Sequence, residues 1–296
     1  MRTIEIEGQL RERLFQELGD PGQVFLDGQI HRFKGDGDKS QNAWYVCHPE
    51  GYGAFGSWRL GYTAKFKADG INTRSNEMRD LMERRAFEAA IEKNRKRAAA
   101  KERAIEMWRQ SKDVDSNHPY IQAKFNGELP PKLSCTQLGA TLLIPMFDLE
   151  EETGVVANLQ RIDQTGQKKF LYGGQVIGTG LKMMHSVHPP AHPINICEGW
   201  ATGVTLYNSG RNVVIAWNTG NLGTVARIIR KQEPGRTIYI AADNDQWSNE
   251  TNPGLEAATK AGIAIDAGVI YPDFTGLDTS SCPTDFNDYQ NLGGQL

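Results

Sequence analysis

The sequence predicts a mixed α+β chain whose C-terminal part is an α/β domain built on a parallel sheet. Three observations carry that prediction. After Pro193, apolar runs (I-N-I-C, V-V-I-A-W, T-I-Y-I-A-A, A-G-V-I-Y) alternate with helix-like segments. Continuous apolar strands between helices are what a parallel sheet covered on both faces needs. Residues 1–75 read differently, as short strand-like runs between glycine turns. Residues 76–112 contain no Gly or Pro and read as one long helix.

Taken in order, residues 1–75 hold D-G-Q-I-H-R-F, A-W-Y-V-C-H and Y-G-A-F-G-S-W-R-L-G-Y, the pattern of a small β-rich domain. The G-D-G-D-K-S run at Gly35–Ser40 lacks the G-K-[ST] ending of a phosphate loop and is set aside. The long helix has a basic centre, Lys93 to Arg103, read as a solvated linker face or as an arm contacting phosphates. Residues 113–185 form a mixed segment in which L-L-I-P-M-F-D and V-V-A-N-L-Q-R-I-D look like paired strands, followed by K-K-F-L-Y-G-G. His185, His188 and His192 follow at intervals that suggest a metal. Three prolines between His185 and Pro193 make this an extended connector instead. Residues 186–296 hold the predicted parallel sheet. In it, Gly210 stops one helix, and Asn252-Pro253 opens another that Gly262 ends.

Composition limits the function classes. A 39% hydrophobic fraction fits a globular protein, and no apolar run approaches membrane-spanning length. The start M-R-T-I-E-I-E-G lacks the apolar core of a secretory signal. Cys47, Cys135, Cys197 and Cys282 lie far apart without C-x-x-C, which predicts reduced thiols in a cytoplasm and no zinc ribbon. Net charge is −3, divided as 27 Lys/Arg against 25 Asp/Glu up to residue 185, and 6 against 11 from Ser186 onward. The C-terminal part is therefore the acidic one.

In parallel α/β sheets, ligands bind at the carboxyl ends of the strands. Glu198 stands just past the first of these strands, Asp243 and Asp245 just past the third, and Asp285 and Asp288 after the last. Asp243 and Asp245 are two apart, so in extended chain they point the same way. Carboxylates gathered at neutral pH repel unless a cation lies between them, and hard oxygen ligands suit Mg²⁺. The competing reading makes these acids helix caps, with Asp285 capping the helix behind it.

The residues E-G-W-A-T-G, A-A-D-N-D and T-D-F-N-D resemble a TOPRIM domain. The first is similar to the E-G-Y-A-T-A signature of primases from satellite phages and conjugative plasmids, with Trp200 for Tyr and Gly203 for Ala. H-P-Y-I-Q-A-K-F, N-L-Q-R-I-D-Q-T-G-Q-K-K-F-L-Y-G-G and I-H-R-F…F-G-S-W-R-L-G resemble the same primases, so the likeness covers most of the chain. It implies a Rossmann-like TOPRIM sheet at the C-terminus, preceded by a basic mixed subdomain. It implies Glu198 as general acid/base or metal contact, and Asp243 and Asp245 as the Mg²⁺ (or Mn²⁺) pair. It implies Asp285 as the last acid of the metal set, with Asn287 and Asp288 expected to support nucleotide or template binding. Arg161, Lys168 and Lys169 match positions that hold template or nucleotide phosphates. The expected activity is primer synthesis from ribonucleotides on a single-stranded DNA template, with a separate helicase or replication initiator as partner. A TOPRIM nuclease and a non-catalytic single-strand-binding module are the alternatives. Trp44, Tyr45, Phe55 and Trp58 are expected chiefly as core of the small β domain, with stacking on template bases as their other role. Gly199 is expected to leave room for nucleotide or metal beside the backbone.

Overall fold

A computed structural model describes residues 2–38, 40–73, 75–151, 153–186, 192–247 and 252–296. The chain forms two compact units, Met1–Ala90 and Ile91–Leu296.

The first unit opens with a helix, α1 (Arg2–Leu18), where the sequence reading had only strands. The I-E-I-E start alternates like a strand, yet the longer period decides. Ile6, Leu10, Leu14 and Leu18 fall four apart on one face, and all four are buried. That face packs on a four-stranded antiparallel sheet, β1 (His31–Phe33), β2 (Ala43–Cys47), β3 (Tyr52–Ser57) and β4 (Tyr62–Lys67), in sequential order. Tyr45 and Phe55 are core residues on the inner face. Trp44 is half-buried and Trp58 exposed, so the four aromatics divide between two environments. Helix α2 (Asn76–Gln110) begins in this unit, where Arg85 grips Glu50 through both guanidinium nitrogens at 2.5 and 2.9 Å.

In the second unit, the later part of α2 buries Ala100 and Ala104. Ala104 packs on Leu143, Leu159 and Leu171, while Arg103 donates to the Tyr172 carbonyl. Short helix α3 (Pro119–Phe125) starts on a His118 cap. Five strands then follow: β5 (Thr136–Leu138), β6 (Thr141–Asp148), β7 (Val156–Ile162), β8 (Lys168–Phe170) and β9 (Thr179–Met183), of which β6 and β7 are the predicted pair. The parallel set is β10 (Ile194–Cys197), β11 (Asn212–Ile215), β12 (Ile238–Ala241) and β13 (Gly268–Ile270). It alternates with α4 (Trp200–Asn208), α5 (Thr219–Gln232) and α6 (Pro253–Ile265), and α7 (Phe286–Asn291) closes the chain.

All nine strands of this unit belong to one sheet, ordered β13-β12-β10-β11-β9-β6-β7-β8, with β5 on β6. β10 to β13 are parallel. β9 runs antiparallel to β11, pairing Met183 with Val213 and Leu181 with Ile215. Hydrogen bonding thus runs on across position 185/186, where the sequence placed a domain boundary. Tyr120, Trp200, Val204 and Phe286 cover one face of the sheet, and Leu222, Val225, Ala258 and Ala261 the other.

One helix end differs from the sequence reading. Gly262 does not stop α6, which runs to Ile265 and ends on left-handed Asp266. Gly262 is there for clearance, since a Cβ would lie 2.9 Å from the Ala267 carbonyl oxygen. Of the histidines considered for a metal, His188 lies outside the described residues, and His185 stacks on Tyr207 at 4.0 Å.

Candidate active site

The site lies at the carboxyl ends of β10 and β12. Every residue of β10 is buried, and the chain leaves the sheet at Glu198 just before Gly199 caps α4. Glu198 Oε2 accepts a 2.9 Å hydrogen bond from the Thr219 hydroxyl at the start of α5. Burial pushes the Glu198 pKa up, the Thr219 bond draws it down, and Asp245 adds to the upward push.

Past β12, the D-N-D triplet divides its labour. Asn244 is a buried anchor. Its backbone N–H donates to the Thr284 carbonyl at 2.7 Å, its side-chain amide to the Pro272 carbonyl at 3.0 Å, and its Oδ1 accepts from Asn252 at 2.8 Å. These bonds draw the loop before Asp285 up to the triplet. Asp245 Oδ2 accepts from the Gly254 backbone N–H at 3.1 Å, at the positive end of α6. Gly254 has no room for a side chain, because a Cβ would lie 2.6 Å from the Asp243 carbonyl oxygen and 3.0 Å from Asp245 Oδ2.

Asp243 is the electrostatic centre. Its Oδ1 is sealed from water and accepts no hydrogen bond from the described residues. Burial is the largest influence on its pKa, followed by Asp285, Glu198 and Asp245, and together they push it up to about 8. Buried carboxylate oxygens ordinarily find donors. One that faces three further carboxylates and has none fits a divalent cation. Among the described residues no three His, Cys, Asp or Glu side chains form a ready-made cage. Mg²⁺ commonly takes only one or two carboxylates and completes its shell with water and substrate phosphates. Asp243, with Glu198 and Asp245 beside it, would hold the ion.

Asp285 does not extend from a strand end. It caps α7, its Oδ1 accepting from the Asp288 backbone N–H at 2.8 Å. Asp285 is thus a helix cap, and its charge also acts on Asp243. Asp288 accepts 2.8 Å from Lys124 Nζ, which also lies 3.7 Å from Asp285 Oδ2. Burial works against the Asp288 charge, but Lys124 and the Thr284 N–H outweigh it and hold its pKa below the usual range. Burial likewise opposes the Lys124 charge, and Asp285, Asp288 and Asp243 overcome it and raise the pKa.

Asn287 departs from its expected role. It is 1% exposed and its amide donates to the Lys124 carbonyl and the Thr205 hydroxyl, so it clamps α7 to α3 and α4 and has no free group for a nucleotide.

The three expected phosphate-binding cations separate. Lys168 pairs across the ladder with Ile162, and Arg161 with Lys169, so strand alternation sends them to opposite faces. Lys168 is on the side of the acids, its Nζ 5.8 Å from the Tyr120 ring. Although the residue as a whole is exposed, the surroundings of its ammonium lower the pKa, against an upward pull from Asp285. Lys169 lies near Asp163 instead. Arg161 Nε is sealed from water without a partner among the described residues.

Lys124, Gly254 and Asn244 are site residues that sequence reasoning missed. Trp200 explains how Lys124 is placed. Its ring is fully buried, donates from Nε1 to the Leu133 carbonyl at 3.0 Å, and packs on Tyr120 and Phe125 of α3, the helix that carries Lys124. Gly203 sits so close to the sheet that a Cβ would lie 2.5 Å from Ile215 Cγ1. Gly199 faces Thr202, whose hydroxyl would stand 3.2 Å from an added Cβ.

Comparison with known proteins agrees with this geometry. Residues 194–295 match the Toprim domain. Two proteins of Escherichia coli, each named DNA primase TraC, are similar over most of the chain. One is 27% identical over 266 residues, covering 84% of this chain and 24% of that protein. The other is 26% identical over 271 residues, covering 86% and 18%. The chain spans about a quarter or less of the length of these relatives. No solved structure matches it significantly. These matches support the resemblance to TOPRIM primases of plasmid type.

Proposed function

We propose that this chain, with a Toprim domain over residues 194–295 and primase-like sequence over most of the remainder, is itself a DNA primase. The observation that carries the reading is the Asp243 carboxylate, whose Oδ1 is sealed from water and accepts no hydrogen bond from the described residues, under the influence of Glu198, Asp245 and Asp285, with Lys168 acting on it as well. The reaction joins two ribonucleotides on a single-stranded DNA template. A 3′ hydroxyl oxygen attacks the α-phosphorus of the next nucleotide, a P–O bond forms, and diphosphate leaves.

A divalent cation at Asp243 would stabilise negative charge on the phosphate oxygens. Glu198, held by Thr219 and with a raised pKa, is suited to take the hydroxyl proton. Lys168 offers charge to the incoming triphosphate from the same side of the sheet. Lys124 offsets part of the charge of Asp285 and Asp288, which lessens the repulsion of an anionic substrate. The two sealed or exposed cations on the opposite face, Arg161 and Lys169, are placed for contacts other than the reacting phosphate. A helicase or initiator supplied by the replicon completes the proposed setting, which is a plasmid, phage or other mobile element. Among the described residues no helix is long and apolar enough to cross a membrane.

The test incubates the protein with single-stranded DNA, labelled ribonucleotides and Mg²⁺ or Mn²⁺, beside Asp243→Ala and Glu198→Ala. Short labelled oligomers from wild type and none from the variants support a primase. Metal-dependent loss of the DNA itself would establish the nuclease instead. Neither activity, with salt-sensitive single-strand binding, would favour a binding module.

A further inference from the structure

The outer face of the N-terminal sheet carries a second constellation that the catalytic site does not use. Strand alternation sends Tyr45 and Phe55 inward to the core, and Arg32, Trp44, Thr63 and Lys65 outward. On that face Trp44 and Trp58 stack, ring centroids 5.8 Å apart at 26°. The Arg32 guanidinium lies 4.6 Å from the centroid of the Trp58 ring. Arg32 is fixed there by two bonds to the Gln41 carbonyl, at 2.8 and 3.1 Å, which use two of its five N–H donors. Trp58 nevertheless remains 50% exposed. An indole backed by a second indole and edged by a cation, yet half open to solvent, has the parts of a stacking platform for an unpaired base.

The charge beside it has a direction. Lys65 belongs both to the outward row and to a groove of about 470 Å³ between β4 and the start of α2. In that groove Lys65, Lys67 and Arg79 stand against one carboxylate, Glu83, with Tyr52 and Phe66 as its aromatic walls. Tyr52 and Phe66 are themselves buried, so the open ring is Trp58, and cations on the same sheet as an exposed indole complement a flexible polyanion whose bases are free to stack. A duplex, whose bases are already stacked, gains nothing from Trp58.

We propose that this face of the N-terminal unit binds single-stranded nucleic acid, with Trp58 stacking on a base and Arg32, Lys65, Lys67 and Arg79 contacting phosphates. The proposal deepens the primase reading by giving the template a surface of its own, and it can fail separately from it.

The experiment measures binding of the full chain to fluorescein-labelled oligothymidylate of about sixteen nucleotides, by anisotropy over a series of salt concentrations. Trp58→Ala is expected to raise Kd about tenfold, and Trp58→Phe, which keeps a ring, to stay within about threefold of wild type. Arg32→Ala is expected to lower the slope of log K against log salt by about one. Binding to a duplex of equal length is expected to be weaker and insensitive to Trp58→Ala. Trp58→Ala and Arg32→Ala binding that matches wild type overturns the platform, whatever the result of primer synthesis. Trp58-dependent binding in a protein that makes no primers leaves the platform standing and removes the primase reading.

Discussion

Replacing Asp243 with Asn should stabilise the metal-free protein, although it removes the residue at the centre of the site. The reason is the sign of the proton linkage. Unfolded, the Asp243 carboxyl titrates near 3.8; folded, burial and then Asp285, Glu198 and Asp245 push it up to about 8. Its folded state therefore holds a proton that the unfolded chain has released. The contribution to stability is intact below about pH 4 and is lost progressively as pH rises to about 8. At pH 7 the group lies about three units above its unfolded value, which corresponds to an upper limit of about 4 kcal/mol. An Asn carries no charge but leaves a buried amide partly unsatisfied, at a cost of about 1–2 kcal/mol. The net gain expected for Asp243→Asn in EDTA at neutral pH is thus about 2 kcal/mol. Urea unfolding at a series of pH values reads it directly. Wild type should lose stability between about pH 4 and pH 8, and the variant should lose much less. Mg²⁺ at a hundred times its Kd should then return about 2.7 kcal/mol to wild type and nothing comparable to the variant. Equal pH slopes for the two proteins, or a variant less stable than wild type in EDTA near pH 8, would refute the account of Asp243 as an uncompensated buried carboxylate.

Lys124→Met leaves Asp285 and Asp288 without their cation in a largely enclosed setting. We expect a loss of about 3 kcal/mol at neutral pH that shrinks as the pH is lowered, read by denaturant unfolding. Gly254→Ala forces a methyl against the Asp243 carbonyl, with an expected cost of about 1–3 kcal/mol. Mn²⁺ binding followed by electron paramagnetic resonance should weaken with it, because the collision displaces the triplet itself. Trp200→Ala should cost about 3–5 kcal/mol in thermal unfolding. Trp200→Tyr, which keeps a ring but loses the indole bond to Leu133, should cost about 1 kcal/mol.

The residues legible in the sequence were those whose role depends on their own segment. The run Ile194, Ile196 and Cys197 followed by Glu198 defines a buried strand and what stands at its end, and A-A-D-N-D does the same for β12. The long helix needed only its lack of Gly and Pro. Roles set by distant partners were not legible. Lys124 becomes a site residue only because α7, more than 160 positions later, bonds to it. Gly262 reads as helix punctuation, whereas its function, like that of Gly254, is clearance from backbone elsewhere in the chain. The separation of Lys168 from Arg161 and Lys169 was implicit in strand alternation, but it required the register of β7 on β8. Helix α1 was missed because a two-residue alternation over four positions hid a four-residue period over thirteen.

The shared sheet bears on how this chain can be divided or inherited. A fragment cut to the Toprim match would keep β11 but lose β9, its antiparallel neighbour. All of Asn212–Ile215 is buried, so the cut would bare a largely apolar strand edge of the kind that recruits other chains into aggregates. The preceding segment would be left with the complementary edge of β9. Recombination should therefore carry the two segments together, and a soluble, dissectable fragment is expected to begin nearer Ile91 than Ser186.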